Sequence, residues 1–438
     1  MAAPVLFSVI LAILLRFICF RTYLSSILAD RIEVVTPLTS WTRIIEGITL
    51  MEQGISPYVG AIFHETPLCL HLFKYLYSIT PLIIPTIFIA LDLLIGIILY
   101  SAAQNGIKYM LRRQKREEVR YAKGVEALHL DQSAFTEIPK LVLYIYLLNP
   151  FTIFTCCAKS TILLTNLAVA LAFQFTFQGR RAGATLAIAL AAYQSLYPVM
   201  LLVPCAIHVA RQEQKDVSVF FDDAKFWKSC CKTGLCFIFW ASFLMYLSYS
   251  LLESWDFLFS TYGFILSVGN LQPNVGLFWY FMLEMFEHFR LFFIWVFQIN
   301  AFIYTIPLSI KFRDHPVFVM LIQLILISVF KSYPAIGDTV VYLALIPLWS
   351  HSFHYLRNTL VVGVMLTGSS IIAPIMYQLW MYAGSANANF FFAVTLVYNA
   401  ALIFLATDVS YAVLRREFSL LHGIPLDDDG NEKPVTLQ

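Results

Sequence analysis

The chain has 438 residues, of which 59% are hydrophobic, 16% aromatic and 13% charged, with a mean hydropathy of +0.74 and a formal charge of +2. Soluble domains carry about 25% charged residues, so this composition excludes a soluble enzyme, a disordered protein and a nucleic-acid module. At about 20 residues per crossing, the apolar stretches supply about twelve transmembrane helices of an all-α polytopic protein, with no separate soluble domain.

Residues 3–20 form the first apolar helix and read as a retained anchor, because no charged stretch precedes it and no small-residue cleavage site follows. A mostly polar loop, 21–81, comes next. Within it, 37–47 has the apolar spacing of a helix lying at the membrane surface, and Gly54, Pro57 and Pro67 punctuate turns. Residues 67–80 read equally as a short span or an interfacial helix. The second span, 82–103, runs into the basic loop 104–139, where Lys108, Arg112, Arg113, Lys115, Arg116, Arg120 and Lys123 give the strongest positive-inside signal. Further spans are expected at 140–158, 161–178, 183–195, 197–210, 233–252, 289–310, 316–331, 339–356, 358–380 and 392–413. The connections with Arg180–Arg181, Arg211–Lys232, Lys311–Arg313, Arg357 and Arg415–Arg416 then share the cytosolic side with both termini and the tail 414–438. Arg16 and Arg21, counted alone, favour the opposite orientation, and the later loops outweigh them. The lumenal face receives 21–81, 253–288 and 381–391.

Most chemistry-bearing residues have plain readings. The eight cysteines fall in or beside apolar stretches with no Cys-x-x-Cys pair, and no Gly-x-Gly-x-x-Gly run offers a nucleotide cradle. His351 and His354 lack a third ligand for zinc and read as a cytosolic helix end. Asp92 and Asp408 lie in apolar spans, where a helix-to-helix hydrogen bond is the bland reading and proton-coupled transport the sharper one. His64 and Glu65, adjacent in sequence, do not face one another on a helix.

Several blocks are distinctive: Ser40-Trp41 to Glu46-Gly47, Ser56-Pro57-Tyr58, Phe63-His64-Glu65-Thr66-Pro67-Leu68, Leu148-Asn149-Pro150, Ala158-Lys159-Ser160-Thr161 and Tyr193 to Pro198. Gly276 to Tyr280, Glu284 to Phe289, Lys331 to Pro334 and Tyr382 to Phe391 complete the set. In this order they resemble the multi-span glycosyltransferases that use dolichol-phosphate sugars (GT-C-like architecture). They are closer still to the PIG-U family, the U subunits of the glycosylphosphatidylinositol (GPI) transamidase. The resemblance implies a multi-pass endoplasmic reticulum membrane protein that binds the GPI lipid and presents it to a catalytic cysteine-protease-like subunit. It implies no cofactor.

The runner-up is an active mannosyltransferase of the same fold. Glycosyl transfer needs a carboxylate base and often a second acid to hold a metal, which the catalytic relatives supply as an Asp-x-Asp-type pair in the first lumenal loop. Here that stretch, Glu33-Val34-Val35-Thr36-Pro37, has one acid, and Gln194-Ser195 stands where a basic pair is expected. The one Asp-x-Asp, Asp427–Asp429, is in the tail. No catalytic residue and no metal ligand is assigned. A transporter is the third reading.

Two lumenal stretches are the candidate lipid-binding sites. In 276–297, Glu284, Glu287 and His288 are three and four apart, hence on one face of a single interfacial helix, with Phe278, Trp279, Phe281, Met285, Phe289 and Phe292 as its apolar surface. Such a helix holds an acyl chain on its aromatic side and a polar head at its acidic edge. In the turn Tyr382 to Asn389, Ser385, Asn387 and Asn389 present hydroxyl and amide groups suited to a phosphate and sugar hydroxyls. The turn is expected to contribute little to folding.

Overall fold

The computed structural model describes residues 3–214 and 224–424, so Asp427–Asp429 lies outside the described residues. Every regular element among the described residues is helical. Helix α1 spans Ala3–Arg21 and α2 Leu24–Ala29; α3 (Trp41–Glu52) and α4 (Pro67–Ile79) fill the expected first loop. On α3, Ile44, Gly47 and Ile48 are buried, so its apolar stripe packs into the protein, against α4.

Helix α5 (Ile84–Glu117) is followed by α6 (Ala134–Leu148) and α7 (Pro150–Cys157), which are bent by 48°. The bend has a local cause. Pro150 cannot donate a helical hydrogen bond, and the Asn149 side chain takes over as the cap of α7, accepting from Phe151 N at 2.9 Å. Helices α8 (Ile162–Phe177), α9 (Arg181–Ser195), α10 (Leu202–Gln214) and α11 (Ala224–Leu252) continue the bundle. The chain then passes through a π-helical turn at Leu258–Gly263 into α12 (Phe264–Ser267) and α13 (Phe278–Glu284). Helices α14 (Glu287–Ile303), α15 (Thr305–Lys311), α16 (Pro316–Phe330), α17 (Val340–Leu345), α18 (Thr359–Met381) and α19 (Ala388–His422) complete the fold.

Each of the twelve stretches expected as spans is helical, although 197–210 opens with a 3₁₀ run at Tyr197–Leu201 and 339–356 ends in one at Ile346–Tyr355. Among the described residues six helices are long and apolar enough to cross a membrane, or seven if the bent α6–α7 pair is one span. The shorter ones are interior pieces. All of α16 except Leu326 and Phe330 is buried, as befits a helix that is apolar all round. Conversely α11, α14 and α18 expose Leu235, Phe239, Tyr246, Leu291, Phe292, Trp295, Val364 and Ile371. A surface this greasy is stable only against lipid or a partner.

Arg16 proves not to be a loop charge. It is fully buried, and its guanidinium meets Asp92 through Nε at 2.6 Å and Nη2 at 2.5 Å, while Tyr146 donates to the other carboxylate oxygen at 2.7 Å. Arg16 is thus part of the packed interior, whereas Arg21 stays exposed at the end of α1. The bland reading of Asp92 and Asp408 holds too. Asp408 accepts from the backbone of Arg357 (2.9 Å) and Asn358 (3.0 Å), capping the start of α18.

Candidate functional site

The ends of α13, α18 and α19 meet in an aromatic cluster. Trp279 is almost fully buried, with ring centroids 6.2 Å from Trp380, 6.1 Å from Phe391 and 5.9 Å from Phe392. Tyr280 stacks on Phe392 at 4.4 Å, and Tyr377 meets Phe391 edge-on at 5.6 Å. These spacings are those of favourable aromatic pairs. The indole N–H of Trp279 is buried with no hydrogen-bond partner among the described residues.

The turn joining α18 to α19 borders this cluster. Gly384 adopts φ +62°, which lets the amides of Ser385 and Ala386 turn back onto Leu379 O at 3.0 and 3.3 Å and close α18. Asn387 then starts α19, its side-chain oxygen accepting from Asn389 N (3.1 Å) and Phe390 N (3.4 Å). The expectation that this turn matters little to folding is therefore corrected, because loss of such a cap costs about 0.5–2 kcal/mol. The Asn389 side-chain oxygen accepts from the Tyr280 hydroxyl. Glu284 lies beside the same phenol, and desolvation together with this carboxylate pushes the Tyr280 hydroxyl above its usual range. Ser385, Asn387 and Asn389 are exposed.

The single helix expected across 276–297 is two helices. Met285 and Phe286 are extended (ψ 136° and 137°), so α13 ends at Glu284 and α14 starts at Glu287. Packing explains the break. Helix α13 buries Phe278, Trp279 and Met282, whereas α14 buries Ile294, Gln298 and Ala301. On one continuous helix Met282 and Ile294 would face roughly 120° apart, and redirecting the chain lets both sides reach the core. Glu284, Glu287 and His288 thus share no helical face, and all three are exposed. Phe278 is buried and packs against Phe297 at 4.8 Å, while Phe289 and Phe292 point outward. The structure brings Trp279, Tyr280, Glu284 and Asn389 together. It leaves Glu287 at the start of α14, 3.8 Å from Arg290 and outside that group.

Directly inside the cluster is a pocket of about 610 Å³, walled by Ser369, Ser370, Ala373 and Pro374 of α18 and Thr395 and Tyr398 of α19. Ala373 also belongs to the aromatic cluster, so the two features are continuous. Arg31 and Glu33 line the pocket's edge. Arg31 donates to both Glu33 oxygens (Nη2 2.9 Å, Nε 3.1 Å) and to Pro374 O at 3.1 Å, and its guanidinium lies 5.2 Å from the Tyr377 ring. Both carboxylate oxygens of Glu33 are thus engaged by one arginine. Arg31, Tyr377, Trp380 and the α18 serines were not singled out from sequence. The small residues Gly368, Ser369, Ser370 and Ala373 in one apolar span were the available signal, since small side chains leave room between helices.

A second polar group belongs to the His64–Glu65 block. Glu65 is buried, accepts from the Thr161 hydroxyl, and is pushed up to about 7 by burial. His64 turns the other way, stacking on Phe264 at 3.5 Å and donating from Nδ1 to Ser260 O at 2.8 Å; burial brings it down to about 4. Among the described residues no group of three or more His, Cys, Asp or Glu is placed to hold a metal ion.

The fold and this site define a multi-pass helical membrane protein with a pocket that adjoins, through Ala373, an aromatic cluster beside an amide-bearing turn. The family model described as "GPI transamidase subunit PIG-U" matches residues 10–398. The chain is 43% identical over 441 residues to the human GPI-anchor transamidase component PIGU, covering 100% of both chains. It is 29% identical over 401 residues to the GPI transamidase component GAB1 of Saccharomyces cerevisiae, covering 91% of this chain and 90% of that one. The chain belongs to the PIG-U family of GPI transamidase subunits.

Proposed function

We propose that this chain is a non-catalytic subunit of the GPI transamidase in the endoplasmic reticulum membrane. In this reading it holds the GPI lipid and presents its head group to a catalytic cysteine-protease-like subunit elsewhere in the complex. Twelve crossings, both termini in the cytosol and a GT-C-like architecture belong to the same proposal, with the shorter helices crossing inside the bundle. Supporting the non-catalytic reading, Glu33 stands alone and is tied to Arg31 through both oxygens.

What supports lipid binding is that the pocket along α18 and α19 adjoins, through Ala373, the aromatic cluster that borders the exposed turn. The pocket's wall is mostly apolar and fits an acyl chain, whereas Asn389, Tyr280 and Ser385 offer donors and acceptors to a head group just outside it. Glu287 and His288 stay as outlying candidates on α14, and Trp279 and Phe278 support the site from within.

Filling the pocket tests this reading. Ser370→Phe places a ring in the cavity, and Asn389→Ala removes the acceptor for Tyr280 while leaving the Asn387 cap intact. Each should lower the GPI that copurifies with the assembled complex by roughly tenfold, the equivalent of about 1.4 kcal/mol. An assembled Ser370→Phe complex with unchanged bound GPI refutes the pocket as the lipid site. Build-up of an unmannosylated GPI precursor on changing Glu33 to Gln would favour the mannosyltransferase.

A further inference from the structure

The basic end of α5 presents two faces with opposite electrostatic fates. On one, Arg113 is closed off: it donates to Glu117 at 2.8 Å, to Asp314 O at 2.7 Å and to His315 Nδ1 at 2.9 Å, and His315 in turn meets Glu417 at 2.9 Å. On the other, Lys108, Arg112, Lys115 and Arg116 follow the i, i+4, i+7, i+8 spacing of one helical face. All four are exposed, and none has a carboxylate partner among the described residues. They line a concave, solvent-open pocket of about 1690 Å³ together with Arg180, and no acidic residue among the described residues lines it.

This pocket is built, as a loose spray of charges is not. Its far wall is the turn between α8 and α9, where Gly179 adopts φ +70° and Arg180 N bonds back to Phe175 O at 3.0 Å, fixing Arg180 at the rim. A Cβ at position 179 would sit 2.0 Å from the Gln212 side-chain oxygen, so glycine is required for Gln212 to reach across to Phe177 O at 3.2 Å. Gln178 lines the pocket with a buried side-chain oxygen that has no hydrogen-bond partner among the described residues. Rotating that amide turns an N–H donor toward the cavity.

Five cations lining one depression, with no carboxylate beside them among the described residues, repel one another, and a bound anion offsets that repulsion. The apolar part of α5 ends just before Lys108, which sets the pocket at the depth of lipid head groups. We infer that this pocket binds a phosphate-bearing anionic head group, with Arg112, Arg116 and Arg180 as its principal ligands because guanidinium groups engage phosphate oxygens in pairs. The inference rests on the placement of this end at a membrane surface and is independent of GPI binding at the far end of the molecule.

The test uses the purified complex containing the full chain in detergent, titrated with dioctanoyl phosphatidylinositol 4-phosphate, dioctanoyl phosphatidylcholine and soluble inositol 1,4-bisphosphate. The phosphoinositide should bind and the zwitterionic lipid should not. Arg112→Gln with Arg116→Gln should weaken phosphoinositide binding by roughly tenfold or more, with an unchanged melting temperature and unchanged bound GPI, since both side chains are exposed. Arg120→Gln, which removes a like charge outside the pocket, should leave affinity within about twofold. Equal binding of the soluble bisphosphate assigns the site to free phosphates, and its failure to compete assigns it to lipid. Wild-type affinity in the double variant, or an equal loss in Arg120→Gln, overturns the site.

Discussion

The Arg16–Asp92 pair offers a sharp test of the packing described above, because both side chains are fully buried and every strong partner is known. Asp92 accepts from Arg16 Nε on one oxygen, with Nη2 2.5 Å from the same oxygen, and from the Tyr146 hydroxyl on the other; Arg16 Nη1 also donates to Ala12 O and Leu147 O, both at 3.0 Å. Changing Asp92 to Leu leaves a guanidinium that stays charged in an apolar interior, and breaking a buried pair this way costs about 3–5 kcal/mol. That is more than two orders of magnitude in the folded population, at about 1.4 kcal/mol per tenfold. Changing Arg16 to Met should cost less, because a carboxyl group can discharge itself by taking up a proton and a guanidinium cannot. The triple change Arg16→Met, Asp92→Leu, Tyr146→Phe removes every charge and the orphaned hydroxyl together. Replacement of buried ion pairs by apolar residues of similar volume is often neutral or stabilising, so this variant should recover most of the loss. The assay is thermal melting of the purified complex, backed by the steady-state level of each variant in cells. A triple variant as unstable as Asp92→Leu, or an Arg16→Met that is worse than Asp92→Leu, would refute the reasoning and return Asp92 to the list of functional ionisable groups.

Glu65 predicts a pH dependence of definite sign. Its carboxyl is raised from the usual value of 4.5 to about 7, so the stabilising protonated form is complete below pH 4.5 and is lost as pH rises through about 7. His64, lowered from 6.5 to about 4, acts oppositely: its contribution is present above 6.5 and is lost as pH falls toward 4. Melting temperature should therefore fall between pH 6 and 8, and Glu65→Gln should flatten that decline while keeping an acceptor for Thr161; an unchanged decline would exclude Glu65 as its source. Orientation is checked separately. A cysteine placed within 112–120 should react with an impermeant maleimide once the plasma membrane is opened, and one at 385 only after the endoplasmic reticulum membrane is opened too. The reverse pattern would invert every side assigned here.

What could be read from the sequence follows from which interactions are local. Apolar runs of span length announced the helices, but the α6–α7 bend at Asn149-Pro150, inside the span expected over 140–158, and the 3₁₀ run at Tyr197–Leu201 were not read from them. The Tyr197-Pro198 block also carries packing that no local rule exposes. The Tyr197 hydroxyl meets Gln298 at 2.9 Å and Ser332 at 2.8 Å, joining two distant blocks in one buried network. The candidate site was half legible for the same reason. Asn387 and Asn389 stand out in any reading because polar amides at the edge of a span are conspicuous, yet one is spent largely on capping α19 and the other is engaged by Tyr280. Helical periodicity assigned Glu284 and Glu287 to one face, but periodicity cannot register a break made without proline or glycine, where burial of Met282 and of Ile294 demanded different directions. The pocket itself escaped notice because it is a property of several distant segments at once. Ser369, Ser370 and Ala373 are unremarkable on α18 alone, and become a wall only when Thr395 and Tyr398 of α19 stand opposite. In a bundle of apolar helices the ligand site is the place where packing is left incomplete, so its residues are chosen for being small, and smallness leaves a weaker trace in sequence than charge does.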